Sequence, residues 1–358
     1  MKIAITADCH LSEKFPERIS VLENIFSKLR QKNIRHLFIA GDLFDKTQQN
    51  YSSFDNLIKQ YSDVNIYLIP GNHDPNIRQI HFTSQNLRVI SSPEIISFDN
   101  LDVFMIPYVI GRTTMDEVLA EFNLKSRLPE RFILISHGDY ISMRNYVPNP
   151  YEKGIYMPIS VSAIEKFKPL KVFLGHIHKA TDEEGKIYYP GSPCPVDITE
   201  TGKRRFLIFD METLEVEFVF TETPYIYFNE VQLVYPLENE IEIVEDRLTK
   251  MIKEWGLKED ELKKVILKIE LKGYSRNKKI LAERIKQFLI EKGVKIYNDE
   301  PDLSSVSVFE KDVTSQERIK IFEETRKYLQ DLNLNELKTK KVGREDIEEQ
   351  ILKLIFGR

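Results

Sequence analysis

The segment Gly71–Asp74 places three chemically reactive side chains directly after an apolar run. The run Ile66–Ile69 ends in a proline and a glycine, and an Asn, a His and an Asp follow. Amide, imidazole and carboxylate groups can bind metal ions, and the last two can also transfer protons. Four other segments repeat this design: Ile3–His10, Leu37–Asp42, Phe132–Gly138 and Val172–His178. Because ligands bind beyond the carboxyl ends of strands in open α/β sheets, these five strand ends predict one shared site.

Seven side chains at these strand ends are candidate metal ligands. They are Asp8, His10, Asp42, Asn72, His137, His176 and His178. On extended backbone, the side chains of residues i and i+2 project to the same side. Asp8-x-His10 and His176-x-His178 have this spacing. The mixed oxygen and nitrogen set is too large for one tetrahedral ion, but it suits two ions that share a carboxylate. Asp42 follows a glycine that lets backbone come close, and it is the candidate bridge.

The distribution of histidines supports this hypothesis. A single histidine at a strand end is usually a surface residue or a satisfied polar residue. Here five of the seven histidines fall at the strand ends, namely His10, His73, His137, His176 and His178. Only His36 and His81 lie elsewhere. The set as a whole therefore predicts a metal centre.

Two metal ions at such a centre would favour chemistry at phosphorus. Ions about 3.5–4 Å apart stabilise both the attacking and the leaving oxygens of an in-line displacement. A metal-bound water falls in pKa from about 15.7 to roughly 7, which supplies a hydroxide nucleophile at neutral pH. Carboxylate, amide and imidazole ligands admit manganese, iron or zinc.

The elements that must position these residues alternate between strand and helix. Short β-branched runs predict strands at 1–7, 36–40, 65–69 and 131–135, with another ending at His178. Helices are predicted over 16–33, 51–61, 113–122 and 161–167. Short turns join the later strands near 187–189, 206–209 and 216–220, which predicts antiparallel pairing. The predicted fold class is α/β, a four-layer α/β/β/α sandwich with two sheets packed face to face.

A smaller α+β pattern follows residue 224. Strands are predicted at 229–234, 264–272 and 294–297, with helices at 239–255 and 277–292. Two charged amphipathic helices follow at 314–333 and 344–356. The predicted domains are therefore 1–223, an α+β domain at 224–312, and C-terminal helices at 313–358.

Composition indicates a soluble protein of a reducing compartment. The 358 residues carry a net charge of −5, so no global positive field indicates nucleic-acid binding. Cys9 and Cys194 are the only cysteines, and two thiols provide neither a disulfide framework nor a thiolate zinc site. No run approaches the roughly 20 apolar residues of a membrane helix, and no secretory leader is evident. We expect a cytoplasmic location.

The motifs, taken in order, resemble the calcineurin-like metallophosphoesterase superfamily over about residues 1–220. They are Asp8-x-His10, Gly41-Asp42-x-x-Asp45, Gly71-Asn72-His73-Asp74, His137-Gly138 and Gly175-His176-x-His178. Within that superfamily, Gly41–Asp45 and Tyr189–Pro193, followed by Val196-Asp197, resemble the SbcD-type (meiotic-recombination-eleven-like) DNA double-strand-break repair nucleases. The α+β domain resembles the DNA-capping domain of those nucleases.

The resemblance implies a role for each residue of the site. One ion would be held by Asp8, His10, Asp42 and His178, and the other by Asp42, Asn72, His137 and His176. The resemblance favours Mn²⁺ for both ions. His73 would act as the general acid or stabilise charge on the phosphoryl group, a role typically worth 10²–10⁴ in rate. Asp45 would orient His73, although family members often carry His there, and it could instead cap a helix from Lys46. Asp74 is either a partner of the ligands or a turn residue.

A basic cluster in the second domain is a candidate DNA contact. Its members are Lys272, Arg276, Lys278, Lys279, Arg284 and Lys286. Together with Tyr274 they could contact phosphates without reading sequence. The alternative is an ordinary solvated helix face.

The resemblance also implies partners. In the SbcD-like family, helices after the capping domain bind the coiled-coil base of an SbcC-type ATPase. The polar linker 334–343 would let the apolar stripe of the last helix, which contains Ile347, Ile351 and Leu354, reach such a partner. Docking of that helix on its own domain is the alternative. Family analogy further suggests a homodimer formed through the helices near 51–61 and 113–122.

Three functions remain open from the sequence. The leading hypothesis is a dimetal-dependent DNA exonuclease and endonuclease of a double-strand-break repair complex, acting on double-stranded ends, hairpins or single strands. A second is a phosphatase or phosphodiesterase for a small or nucleotide substrate, which the C-terminal extension disfavours. A third is a non-catalytic DNA- or partner-binding scaffold, which the complete ligand set disfavours.

Overall fold

A computed structural model describes residues 1–46, 51–98, 101–111, 114–142, 154–310, 313–331 and 343–357. The chain divides into two compact units, Met1–Pro224 and Tyr225–Arg358, which are called here the first and second units. The further predicted boundary at residue 312 stays a prediction. No helix in the described ranges is long and apolar enough to cross a membrane.

The first unit alternates strands and helices. Its elements are β1 (Lys2–Thr6), α1 (Glu17–Gln31), β2 (His36–Ala40), α2 (Tyr51–Gln60), β3 (Asn65–Ile69), β4 (Leu87–Val89), β5 (Glu94–Phe98), β6 (Leu101–Ile106), α3 (Met115–Ser126), β7 (Phe132–His137), β8 (Tyr140–Ile141), β9 (Ile159–Ser160), α4 (Val161–Phe167), β10 (Val172–Gly175), β11 (Thr181–Glu183), β12 (Ile187–Tyr189), β13 (Arg205–Asp210) and β14 (Val216–Phe220). The helix predicted over 113–122 begins at Met115, with the Thr114 hydroxyl accepting a hydrogen bond from the Glu117 N–H as its N-cap.

Two six-stranded sheets form the centre of this unit. The strand order is β14-β13-β1-β2-β3-β4 in one sheet and β11-β12-β10-β7-β6-β5 in the other. β1, β2 and β3 run parallel in the first sheet, as do β6, β7 and β10 in the second. All five motif-bearing strands therefore lie at or near the middle of a sheet, and each sheet's set points its carboxyl ends the same way.

The alternation of side chains along β1 shows how the layers pack. Ile3 and Ile5 belong to the core between the sheets, whereas Ala4 belongs to the core under α1 and α2. Phe104 and Leu134 of the second sheet pack under α3 and α4. Helix, sheet, sheet and helix thus form four layers, and the predicted α/β/β/α sandwich is confirmed.

The antiparallel pairing predicted for β12 holds for only one of its two neighbours. β12 pairs antiparallel with β11 but in parallel with β10. The reason is the route of the chain, which leaves β10 through the loop at His178 and turns back along β11 before entering β12. The antiparallel pairings of β13 with β1 and of β14 with β13 agree with expectation.

The second unit is a parallel sheet with helices. Its elements are β15 (Ile226–Val234), α5 (Glu240–Glu254), α6 (Glu259–Leu262), β16 (Val265–Ser275), α7 (Lys278–Glu291), β17 (Lys295–Ile296), β18 (Asp302–Val308), α8 (Ser315–Asp331) and α9 (Arg344–Phe356). β15 pairs in parallel with β16, which pairs in parallel with β17 and β18. α5 and α7 pack on one face of this sheet through a continuous apolar core.

α9 packs on its own unit. Leu352 and Phe356 are buried against a cluster that contains Tyr235 and Phe322. The Glu348 carboxylate, also buried, accepts hydrogen bonds from the Tyr235 hydroxyl and the Arg247 guanidinium. Self-docking, one of the two alternatives for this helix, is therefore the arrangement in this structure. The predicted linker lies outside the described residues except for Gly343.

Candidate metal centre

The loops that follow the motif strands adopt an unusual backbone conformation. Asp8, His10, Asp42 and His176 have positive φ angles of 52°, 44°, 50° and 96°. Residues other than glycine rarely have positive φ angles, and the strain persists only where the surrounding structure imposes it. Four of the seven predicted ligands thus have a strained backbone conformation, and this conformation sets the direction of their side chains.

The glycines of the motifs are explained by close approach between these loops. Gly41 has φ 87°, and a Cβ at that position would overlap the His137 ring. A Cβ on Gly71 would overlap the Asp42 carboxylate. The Gly-Asp and Gly-Asn steps therefore exist because neighbouring ligand side chains occupy the space that any larger residue would need.

The first half of the centre contains Asp8, His10 and His178. One ligand atom from each lies within 4.8 Å of the others, and all three residues are buried. The two Nε2 atoms of the histidines are 3.0 Å apart. Among the described residues, the buried Asp8 Oδ2 has no hydrogen-bond partner. A buried carboxylate oxygen that accepts no hydrogen bond and lies beside two imidazoles is suited to bind a cation.

The second half contains Asn72, His137 and His176. Asn72 Oδ1 lies 2.7 Å from His137 Nε2 and 3.1 Å from His176 Nδ1. His137 Nδ1 is 2.9 Å from the Ala40 carbonyl, and a carbonyl can only accept. A hydrogen bond to that carbonyl uses the Nδ1 proton, so Nε2, which faces the Asn72 amide oxygen, is the ring atom that could bind a cation. A cation held by both atoms would satisfy both.

Asp42 lies between the two halves. Its Oδ2 is 3.4 Å from His137 Nε2 and 3.8 Å from His10 Nε2. Its Oδ1 accepts a hydrogen bond of 2.8 Å from the His73 backbone N–H. These distances suit a carboxylate that bridges two cations, the role predicted for Asp42 from the sequence, and that role stays a prediction.

Neighbouring charges and burial shift the pKa values of the ionisable side chains in this cluster. Burial opposes ionisation of Asp42, but His137 and His10 hold the pKa of its carboxyl well below the usual range. Burial likewise opposes a charge on His137, yet Asp42 and Asp8 raise its pKa to about 9. Burial raises the pKa of Asp8 to about 6, against the opposing effect of His178. Metal ligands bind in their deprotonated forms, so cation binding at His137 would release a proton.

His73 is at the rim of this cluster. Its Nδ1 lies 3.6 Å from Asp45 Oδ1, and its ring contacts that of His10 edge-to-face at 4.6 Å. A ring nitrogen of His73 also falls within 4.8 Å of ligand atoms of His10 and Asp42. Asp45 Oδ1 accepts a 2.7 Å hydrogen bond from the Lys46 N–H as well. His73 is therefore close to the candidate metal ligands. Its predicted role as a general acid that does not bind the metal stays a prediction.

Asp74 connects two of the loops. Its buried carboxylate accepts hydrogen bonds from the Gly71 N–H at 2.8 Å and the Phe44 N–H at 3.1 Å. It joins the loop after β3 to the loop after β2, which positions Asn72 relative to Asp42. Of the two roles considered from the sequence, these contacts favour the structural one.

Two buried carboxylates that the sequence analysis missed contact the histidines. Glu200 Oε1 is 2.7 Å from His178 Nδ1, and its other oxygen accepts from the Ser192 hydroxyl and the Val196 N–H. Asp139 Oδ2 is 3.8 Å from His176 Nε2. Asp139 could have been found because it lies two residues after His137. Glu200 is 22 residues after His178, and no local spacing connects the two.

Replacing Glu200 tests the importance of this outer contact. We expect Glu200→Gln to weaken divalent-metal affinity about 10- to 100-fold, because carboxylate partners fix the tautomer and orientation of metal-binding histidines. Calorimetric titration of metal-free protein with Mn²⁺ measures the change. Glu222→Gln, an exposed glutamate of the same unit paired with Lys28, is the matched control and should titrate as wild type. Equal affinities for all three proteins would exclude this role of Glu200.

The basic cluster of the second unit is largely neutralised. Four of its six members pair with glutamates of the same unit: Lys272 with Glu270 (3.6 Å), Arg276 with Glu238 (3.5 Å), Arg284 with Glu245 (3.2 Å) and Lys286 with Glu300. Lys278 and Lys279 lie in the first turn of α7. The ion pairs favour a solvated face for those four side chains, and DNA binding by the cluster stays a prediction.

Comparisons with known proteins indicate the family of the chain. The family profile described as calcineurin-like phosphoesterase matches residues 1–209. A protein from Vesicomyosocius okutanii subsp. Calyptogena okutanii (strain HA), described as a probable cyclic nucleotide phosphodiesterase, is 24% identical over 187 residues, which cover 49% of this chain and 78% of that protein.

Solved structures with similarity to the chain include two phosphoesterases. One, described as a novel archaeal phosphodiesterase, is 16% identical, covers 62% of this chain and 99% of its own, and gives a TM-score of 0.33. The other, a dimetal phosphatase from Danio rerio, is 14% identical, covers 58% and 91%, and gives a TM-score of 0.37. At these values neither transfers a substrate to this chain.

Proposed function

The chain belongs to the calcineurin-like phosphoesterase family, and within that family we propose that it is a dimetal-dependent DNA nuclease of the SbcD type. The observation that carries the phosphoester chemistry is the position of the Asp42 carboxylate between two buried groups of oxygen and nitrogen ligands. The observation that favours a large substrate is the second unit, which lies wholly beyond the region matched by the family profile.

The residues of the chain would hold two cations in two sets. Asp8, His10, Asp42 and His178 form one set, and Asp42, Asn72, His137 and His176 form the other. When bound, two divalent ions, Mn²⁺ in our proposal, would supply Lewis acidity and would lower the pKa of a water molecule that attacks phosphorus.

The chain's own contribution is positioning and proton transfer. His73, with a ring nitrogen within 4.8 Å of ligand atoms of His10 and Asp42, would donate a proton to the leaving oxygen of a bound phosphodiester. The Asp45 carboxylate, 3.6 Å from His73 Nδ1, would orient the imidazole for this role. The buried walls exclude bulk water, which strengthens each of these electrostatic interactions.

The proposal extends to a protein partner. α8 and α9 expose large apolar side chains, with Ile321 53%, Tyr328 71% and Leu354 83% accessible. These side chains lie on the outside of helices that pack on the second unit through other residues. We propose this surface as the contact for an SbcC-type coiled-coil ATPase, and we also propose that the nuclease works as a homodimer.

A second candidate is a phosphodiesterase that acts on a cyclic or other small nucleotide. Two observations favour it: the description of the relative from Vesicomyosocius okutanii, and the ion pairs that neutralise most of the basic cluster. The same metal centre would serve either substrate, because the bond that breaks is a phosphodiester in both.

Assays with four substrates in parallel distinguish the two candidate functions and the scaffold alternative. The full chain is incubated with Mn²⁺ and, in parallel, with end-labelled duplex DNA, single-stranded DNA, a cyclic nucleotide and bis-p-nitrophenyl phosphate, beside a His73→Ala variant. The nuclease proposal predicts DNA cleavage that His73→Ala loses, with little turnover of the cyclic nucleotide. Intact DNA together with hydrolysed cyclic nucleotide would establish the second candidate instead. No reaction with any substrate at saturating metal, with or without an ATPase partner, would favour the scaffold.

A further inference from the structure

Two buried arginines of the first unit have no part in the chemistry described above. Arg18, in the first turn of α1, is 2% exposed, and Arg204, just before β13, is 5% exposed. Arginine is almost never fully buried unless it is paired. A positive charge close to a site for cations also opposes cation binding. Both residues therefore need a structural reason that outweighs this cost.

Arg18 holds the backbone of one candidate ligand. Its Nη1 donates a hydrogen bond of 2.8 Å to the carbonyl oxygen of His10. Its Nη2 donates at 3.4 Å to the carbonyl of Val196, in the loop after β12. The guanidinium stacks 4.2 Å over the Phe15 ring, which restricts its orientation. One side chain thus connects His10 to a loop 186 residues away in sequence.

Arg204 does the same for a second candidate ligand. Its Nη2 donates to the carbonyl oxygen of His178 and, at 2.7 Å, to the Ser192 hydroxyl. Its Nε donates at 2.8 Å to the Ser192 carbonyl. The planar guanidinium has several N–H donors in fixed positions, so it can make these contacts at the same time. A lysine ammonium carries its donors on one nitrogen atom and cannot reproduce them.

Both arginines reach the same loop, residues 192–200. That loop carries Glu200, whose carboxylate contacts His178 Nδ1 and lies 3.4 Å from Arg204 Nη2. The two histidines held in this way are the pair whose Nε2 atoms face each other at 3.0 Å. His10 has a φ of 44°, a strained conformation that persists only where its surroundings impose it.

The other half of the centre has different supports. His137 is oriented by the Ala40 carbonyl, and the His176 N–H donates to Asp8 Oδ1 at 2.8 Å. None of the hydrogen bonds or ion pairs described for Arg18 or Arg204 reaches His137, His176 or Asn72. An effect of either arginine on the metal centre should therefore fall on one half.

We propose that Arg18 and Arg204 are paired positioning residues that fix the separation of His10 and His178, and thereby set the affinity of the cation site formed by Asp8, His10 and His178. The inference rests on the proposed dimetal centre, and it assigns the two arginines no contact with substrate or ion. They act through the backbone carbonyls of the ligands and through the loop that carries Glu200.

The test is calorimetric titration of metal-free full-length protein with Mn²⁺. Arg18→Met and Arg204→Met keep much of the apolar stem and remove the donors. Each is expected to weaken one of the two binding steps about 10- to 100-fold and to leave the other within about twofold. Arg205→Met is the matched control, because Arg205 is adjacent in sequence but stacks on Phe218 at 4.0 Å. It should leave both steps unchanged.

A readout that needs no metal separates positioning from simple stability. Nitrogen-15 NMR of the histidine rings in metal-free protein should show a changed His178 signal in Arg204→Met and an unchanged His137 signal. Arg18→Lys and Arg204→Lys, which keep the charge, serve if the methionine variants do not fold. They should restore only part of the affinity, because one ammonium cannot hold both carbonyl and loop.

The outcomes distinguish this inference from its premise. Wild-type protein that binds fewer than two ions contradicts the dimetal centre itself, whatever the arginine variants do. Two ions in wild type, with both steps unchanged in the arginine variants, overturn the positioning role alone. Equal weakening of both steps together with a lower melting temperature of the metal-free protein also overturns it, because that pattern indicates a general loss of fold.

Discussion

Asp42→Ala is expected to abolish binding of the metal pair and to lower phosphodiesterase activity about 10³-fold or more. Asp42 Oδ2 lies within 4 Å of one histidine from each half of the described centre, His10 and His137. Metal Lewis acidity contributes several kcal/mol to transition-state stabilisation, and about 1.4 kcal/mol corresponds to a factor of ten in rate. Bound metal is measured by elemental analysis after dialysis, and the rate with bis-p-nitrophenyl phosphate.

The control for this variant is Asp246→Ala, which removes an exposed carboxylate from α5 of the second unit. It should retain the wild-type metal content and rate. Because removal of Asp42 also deletes an acceptor for the His73 N–H, the folded state of both variants is compared by circular dichroism. An Asp42→Ala protein that is folded and still binds two ions tightly would show that this carboxylate is not the bridge.

His73→Ala is expected to reduce kcat on DNA about 10²–10⁴-fold while the protein keeps both metal ions. A general acid typically contributes this much, and its loss should not remove a cation if His73 is not a ligand. The effect should shrink on bis-p-nitrophenyl phosphate, whose leaving group departs without a proton. The pair of substrates therefore measures the proton transfer separately from metal binding.

The geometry makes this variant decisive for His73, because its ring nitrogen falls within ligand distance of His10 and Asp42. If His73→Ala loses one equivalent of metal, the side chain is a ligand and the general-acid role is wrong. The matched control is His81→Ala, since His81 is exposed and stacks on Tyr51 at 4.5 Å. That variant should keep both the metal and the rate.

The sequence could predict that the candidate ligands lie together because each is at, or within four residues of, the carboxyl end of a buried strand. Parallel strands bring their carboxyl ends to one edge, so a local pattern such as Asp8-x-His10 has a three-dimensional consequence that needs no other knowledge of the fold. The glycines at 41 and 71 were visible for the same reason, although only the structure shows that they make room for His137 and Asp42.

Other features depend on contacts that no local pattern encodes. Glu200 reaches His178 only because the loop after β12 returns to the metal centre, and Arg18 reaches that loop from α1. The glutamate partners of Arg284 and Lys286 lie outside α7, so the sequence of that helix does not show that these two basic side chains are paired. The direction of β12 depended on the chain route through β11, which a short turn did not reveal.

Diffraction from Mn²⁺-loaded crystals, recorded where manganese scatters anomalously, tests the dimetal centre most directly. We predict two anomalous peaks per chain about 3.5–4 Å apart. One peak should lie among Asp8, His10 and His178, the other among Asn72, His137 and His176, with Asp42 contacting both. A single peak, or two peaks that Asp42 does not bridge, would contradict the dimetal phosphodiesterase account.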